Sequence, residues 1–297
     1  MNNFHGTREP GLKKIQAYIA RMPSLSTTVI KVLETCNDPK SSANDLKRVI
    51  SLDPVLTGRV LKLINSAYYS LGQPIASLTR AIIMLGMNTV KNLALSFTIL
   101  DNIKGHSSCA AFSEDDFWRH CLCVGVVAKA LAELKGVPAT GQEEFFIAGL
   151  LHDLGKIPLR RQFPKEYCRV CETVQGGQQA LYRREAECLG ADHGTVGRII
   201  AEKWRLGAVL VESLSHHHSP ADGSKEHRSF VSVVALANQL ALHYNVGNAG
   251  DHFTDQRHVS LLMGQIGVDW TMVEGFQAAV GGEIERAKFF LEVIQNG

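Results

Sequence analysis

From Leu12 to Leu100 the apolar positions recur every three to four residues, and the runs are separated by residues that start or stop helices. In "SSANDLKRVI" Ser42 stands three residues before Asp45, a capping-box spacing, and Leu46, Val49 and Ile50 continue as a stripe. In "LDPVLTGRVLKLINSAYY" Asp53 is placed to accept from first-turn amides and Pro54 occupies the first helical position. Val55, Leu56, Val60, Leu63, Ile64 and Ala67 then follow at helical spacing. "PIASLTRAIIMLGMNTVKNLALSFTIL" reads as two helices broken at Gly86, the second capped by Asn88. No segment alternates with period two, so the pattern predicts an all-α protein. Polar, Gly-containing "DNIKGHSSCA" (Asp101 to Ala110) marks the expected joint. It divides an N-terminal helical subdomain, 1–110, from a second helical subdomain, 111–297, that includes short C-terminal helices.

Composition changes this picture little. The chain has 297 residues, 45% hydrophobic and 20% charged, enough to bury a sizeable core. A net charge of +2, without a Lys/Arg-rich stretch, gives no footprint for nucleic acid or a membrane surface. The N-terminus lacks a signal-peptide layout and no eighteen apolar residues run together, so the expected location is the cytoplasm. Seven cysteines then read as reduced thiols, and the lone C-x-x-C of Cys168 and Cys171 lacks the further ligands of a zinc site.

The twelve histidines add the chemistry. In "EDDFWRHCLCVGVVAKALAEL" His120, Cys123, Val127, Ala130 and Leu134 share a face, with Asp116 one turn before His120 on the same side. "FFIAGLLHDLGKIPL" drives an apolar helix into adjacent His152 and Asp153, followed by Lys156. His193 precedes Val196, Ile200 and Trp204 on a third helix, "LVESLSHHHSP" ends a fourth with His216, His217 and His218, and Asn238 lies between Val234 and Leu242 on a fifth. One inward histidine is ordinarily a hydrogen-bonded core residue. Nitrogen and oxygen donors on five consecutive helices are what an iron, manganese or zinc site requires, and they favour those metals over magnesium.

"LLHDLGKIPL", with "FWRHC" before it and "DHGTVG" and "HHHSP" after it, resembles the HD superfamily of metal-dependent phosphohydrolases. "MPSLSTTVIKVLETCNDPKSSANDLKRVISLDPVLTGRVLKLINSAYY" and "PIASLTRAIIMLG" are similar to the HDOD family, the HD-related output domain of bacterial signalling proteins. The likeness runs from about Leu12 to about Val246. It implies an N-terminal helical bundle packed on an HD-type domain, with metal held at His120, His152, Asp153 and the position of Asn238, where the HD pattern has an aspartate. The related HD-GYP phosphodiesterases, which cleave cyclic di-GMP, imply further ligands at Asp116, His193, His217 and His218, and a phosphate contact at Lys156.

The Gly-Tyr-Pro signature is absent after the histidines. The resemblance therefore implies a bacterial regulatory protein with a largely retained metal site, one ion or two, most simply iron or manganese, with zinc as a further candidate. Such a protein acts through a signalling partner or a nucleotide ligand, since the match leaves no separate receiver, GGDEF-type or kinase segment. The alternative is a metal-dependent phosphohydrolase with HD-GYP-like cyclic dinucleotide chemistry, in which Asp153 and Lys156 would be catalytic.

Overall fold

The computed structural model describes residues 8–66, 69, 73–103, 113–176, 179–274, 276, 280–282, 284–285 and 287. They form α1 (Arg8–Arg21), α2 (Thr27–Asn37), α3 (Ala43–Ile50), α4 (Pro54–Ile64), α5 (Leu78–Leu85) and α6 (Met87–Ile103). The chain continues through α7 (Glu114–Leu134), α8 (Ala139–Leu151), α9 (Lys156–Gln162), α10 (Pro164–Val174) and α11 (Leu181–Leu189). After α12 (His193–Lys203) and α13 (Ala208–His216) come a 3-10 turn (Pro220–Asp222), α14 (Arg228–His243) and α15 (Gln256–Ile266). No strand occurs among the described residues, so the fold is all-α as the periodicity predicts.

The N-terminal helices begin where their caps lie. Ser42 accepts from the Asp45 amide while the Asp45 carboxylate accepts from the Ser42 amide, closing the capping box of α3. Asp53 accepts from the Leu56 amide at 2.9 Å and Pro54 opens α4. The second half of "PIASLTRAIIMLGMNTV" differs from expectation: α6 starts at Met87, and Asn88 lies inside it. Gly86, at φ 83°, ends α5 and then supplies the carbonyl that receives the Val90 amide, so one residue makes the whole bend.

The first three residues of the expected joint, Asp101 to Ile103, complete α6; residues 104–112 lie outside the described set. The two halves share one apolar core. α1 packs on α9, α11 and α12, and α6 packs on α8. Lys203 donates to the carbonyls of Ile19, Ala20 and Met22 at 2.6–2.8 Å, a cation at the C-terminal end of α1. Trp204 Nε1 donates to Pro23 O beside it.

α7 and α8 form the centre. A Cβ on Gly149 would lie 2.7 Å from the Gly125 Cα, and one on Gly125 would lie 2.8 Å from Phe146 O, so the helices meet backbone to backbone. α7 is buried on nearly every side from Phe117 to Ala128, not along one stripe, and the expected stripe stops short of Leu134, which is 43% exposed. Each Val, Leu or Ile enclosed there contributes about 1.5–3 kcal/mol relative to exposure. No single helix among the described residues is long and apolar enough to cross a membrane. Cys36, Cys121, Cys123, Cys171 and Cys188 are free thiols, whereas Cys168 is disulfide-bonded, a departure from the reading of reduced thiols throughout.

Candidate metal centre

The abrupt end of the α8 apolar run is a hand-over between helices. α8 stops at Leu151, His152 caps it, and the turn through Gly155 leads directly into α9 at Lys156. Gly155 is required by proximity: a Cβ there would sit 2.0 Å from His193 O and 2.7 Å from the Gly197 amide nitrogen. The missing side chain lets the His152–Asp153 turn press against the start of α12, which Asp192 caps by accepting from the Thr195 amide. α13 ends at His216, so His217 and His218 leave its C-terminus into the same space.

His120, His152, Asp153 and His193 converge there, each 0–2% exposed. Asp153 stands between two groups. Its Oδ2 is 3.3 Å from His152 Nε2 and 3.8 Å from His120 Nε2, and its Oδ1 is 3.2 Å from His193 Nε2 and 3.8 Å from His217 Nε2. His193 Nε2 lies 3.2 Å from His217 Nε2 and 2.8 Å from His218 Nε2. His120, His152 and Asp153 thus make one triad of donor atoms and His193, His217 and His218 a second, the atoms of each within 4.8 Å of one another. Asn238 joins the first, its Oδ1 3.1 Å from His120 Nε2.

The outer ring nitrogens show which way the lone pairs point. His152 Nδ1 donates to Gly149 O (2.7 Å), His217 Nδ1 to Ser213 O (3.1 Å) and His193 Nδ1 to Glu185 Oε2 (2.6 Å), tautomers assigned from these partners. In each neutral ring Nε2 is then an acceptor aimed inward. Buried acceptors facing one another at such distances repel, and a cation between them removes the repulsion. His152 Nε2 and Asp153 Oδ1 are also buried without a hydrogen-bond partner. The donor set fits a transition-metal ion.

The charge states differ between the rings. Burial and the neighbouring His152 push His120 down to about 3, and burial with the surrounding imidazoles holds His217 and His218 well below the usual histidine range, so these rings are neutral. Burial alone would raise the Asp153 carboxyl, but His152 and Lys156 beside it hold it well below the carboxylate range. Burial likewise opposes the charge on His193, and the Glu185 carboxylate overrides it, raising that ring.

Two expected residues sit differently. Asp116 stays in the first turn of α7, where its carboxylate is 45% exposed, accepts from Ser113 Oγ and lies 3.8 Å from Arg119. Its position beside the N-cap gives it nearer partners than the cluster. Lys156 is 1% exposed, and its ammonium donates to Asp153 Oδ2 (2.7 Å) and Ala249 O (3.0 Å), so it braces the carboxylate and does not face solvent. Sequence reasoning missed Glu185, which takes both the His193 amide and Nδ1 on one oxygen and the Tyr167 hydroxyl on the other. A signal existed: Glu185 stands midway between Leu181 and Leu189 on the buried face of α11.

The HDOD domain family matches residues 22–220 of the chain. An uncharacterized protein of Treponema pallidum is 23% identical over 220 residues, 73% of this chain and 41% of that protein, so the chain spans well under half of that relative's length. Among solved structures, a signal-transduction candidate from Marinobacter aquaeolei superposes with a TM-score of 0.74 at 18% identity, covering 97% of this chain and 66% of the other. A phosphohydrolase candidate from Shewanella amazonensis gives 0.72 at 22% identity, covering 97% and 100%. At these identities the superpositions establish a common fold.

Proposed function

The chain belongs to the HDOD domain family, and we propose that it is a regulatory signalling member that holds divalent transition metal, iron or manganese before zinc, at the two triads joined by Asp153. The observation that carries this reading is the inward convergence of imidazole nitrogens, with the outer nitrogens of His152, His193 and His217 tied down. His120, His152, Asp153, Asn238, His193, His217 and His218 would hold the ions, which would supply fixed positive charge to a dry core. Asp116 is left out of the ligand set. A site whose ligands, apart from His218, are closed to solvent suits a structural or sensing role better than turnover, which needs an open position. Output through a protein partner or a nucleotide ligand is part of this proposal, as the signal-transduction description of the Marinobacter relative suggests.

Elemental analysis of protein purified without a histidine tag tests it. One to two equivalents of iron, manganese or zinc are expected, lost with His152→Ala/Asp153→Ala; fewer than about 0.2 equivalents, a working threshold for a folded metal site, would overturn it. One observation favours hydrolysis as a second reading: His218, half-buried, borders a cavity and so gives the second triad a route to solvent. Turnover of a cyclic dinucleotide or a simple phosphodiester with added Mn²⁺ or Fe²⁺, abolished in the same double variant, would establish that reading.

A further inference from the structure

The cavity beside His218 has a volume of about 310 Å³ and chemistry that the metal centre does not use. Its walls include Tyr182 from α11, Asp222 from the 3-10 turn, Gln239 from α14, and Asp251 and Phe253 from the segment before α15. Asp251 is only 7% exposed. Its Oδ1 accepts from the Phe253 amide at 3.1 Å, and its Oδ2 has no hydrogen-bond donor among the described residues. Gln239 Oε1 is buried with no hydrogen-bond partner among the described residues. Two acceptors without a donor among the described residues therefore belong to residues that line one space.

The rest of the lining has the same sense. Asp222 and Asp255 add carboxylates, while the one permanent cation among the lining residues, Arg183, directs its Nε to the Tyr182 hydroxyl at 3.0 Å. Tyr182 lies flat against the His218 ring, with centroids 4.4 Å apart and planes 15° apart, which fixes an aromatic wall. Phe253 supplies a second.

We propose that this cavity binds a small flat organic cation whose charged group carries several N–H donors, such as an amidinium or guanidinium on an unsaturated ring. The N–H groups satisfy Asp251 Oδ2 and Gln239 Oε1, neither of which has a donor among the described residues. The ring lies against Tyr182 and Phe253, where positive charge is attracted by aromatic faces. The volume is at the small end of ligand pockets and admits one ring with a substituent. An anion of the same shape meets three carboxylates and is repelled. None of this depends on a metal being present, so the inference goes beyond the metal proposal and stands or falls separately from it.

The test uses benzamidinium as probe and benzoate as its isosteric anion, titrated calorimetrically into the full chain as purified. Benzamidinium is expected to saturate a single site, with benzoate at least about tenfold weaker. Asp251→Asn should weaken benzamidinium about tenfold or more, and Gln239→Leu about threefold to tenfold, as expected for a lost charged and a lost neutral hydrogen bond. Gln239→Leu is the safer variant for folding because the Asp251 carboxylate interacts electrostatically with buried Lys156 and this variant keeps it, and circular dichroism melts certify both. No saturable binding, equal binding of benzoate, or unchanged affinity in both folded variants would overturn the proposal. Metal content is measured on the same preparations, so failure of the cavity and failure of the metal centre are read independently.

Discussion

Asp53 and Asp153 are the same side chain put to opposite uses in the two halves of the molecule. Asp53 sits at a helix start, partly exposed, and accepts one hydrogen bond from the Leu56 amide. Asp153 has no exposed surface, is surrounded by four imidazoles and an ammonium, and keeps Oδ1 without a hydrogen bond. In the N-terminal half polar groups finish helices; in the later half they fill a centre that helices were bent to enclose. A polar residue at a cap is replaceable at modest cost, whereas one inside a charged cluster determines the state of every group it faces.

The largest break in that comparison is Asp153→Ala. It removes the group shared by both triads and leaves Lys156 buried with Ala249 O as its one hydrogen-bond partner among the described residues. Removing one member of a buried ion pair costs about 3–5 kcal/mol. Urea unfolding should show that loss, and metal content should fall at both triads together. Loss of half the metal would mean that Asp153 serves one triad and does not join the two.

Gly155→Ala attacks the same centre through packing. The new Cβ would meet the His193 and Gly197 backbone, neither of which can swing away as a side-chain tip would. Forced overpacking of this kind costs about 1–3 kcal/mol. Because the displaced backbone carries His193, metal affinity should fall along with the melting temperature. A variant that melts lower but binds metal normally would show that the turn and α12 move as one body.

The two halves also differ in how far they could be read from the sequence. Caps are local, so Ser42, Asp45, Asp53 and Pro54 announce their helices within four residues, and the structure places them accordingly. Asn88 misled because a left-handed Gly86 can end one helix and begin the next without a side-chain cap. In the later half the doublet and the histidines were legible as interruptions of apolar stripes. Which carboxylate completes them was not, since Asp116 and Glu185 are both acids on helices that carry buried residues. Only the fold distinguishes them: Asp116 finds Ser113 and Arg119 in its own turn, while Glu185 is held inside by α10 and the start of α12. The path of α1 across α9, α11 and α12 was likewise invisible, because its stripe says that a face is buried and not against what.

Glu185→Gln sharpens the contrast without disturbing the packing. The amide oxygen can still accept from His193, and the amide nitrogen can donate to the Tyr167 hydroxyl, so shape and hydrogen bonds survive while the charge is lost. If the carboxylate fixes and enriches the His193 ring as a ligand, metal affinity should fall about tenfold to a hundredfold with little change in urea stability. Competition against a chromogenic chelator measures it. Unchanged affinity would assign Glu185 to folding alone. Asp116→Ala, one turn from His120 but turned away, should leave metal content as it is in the parent.

Asp53→Ala should give the smallest effect, and a purely local one. The Asp53 carboxylate satisfies one of the four amides at the start of α4, and Pro54 at the first helical position leaves one fewer amide to satisfy. Loss of an N-cap side chain costs about 0.5–2 kcal/mol, so the urea midpoint should drop with the slope unchanged. Asp53→Asn or Asp53→Ser should recover most of the loss, because either side chain can accept from the same amide. Metal content should match the parent, since no hydrogen bond or ion pair links Asp53 to the cluster. If metal affinity moved with it, α4 would have to communicate with the centre through α6, which packs on both α4 and α8, the helix that ends at His152. The separation between a capping half and a liganding half would then fail at that helix.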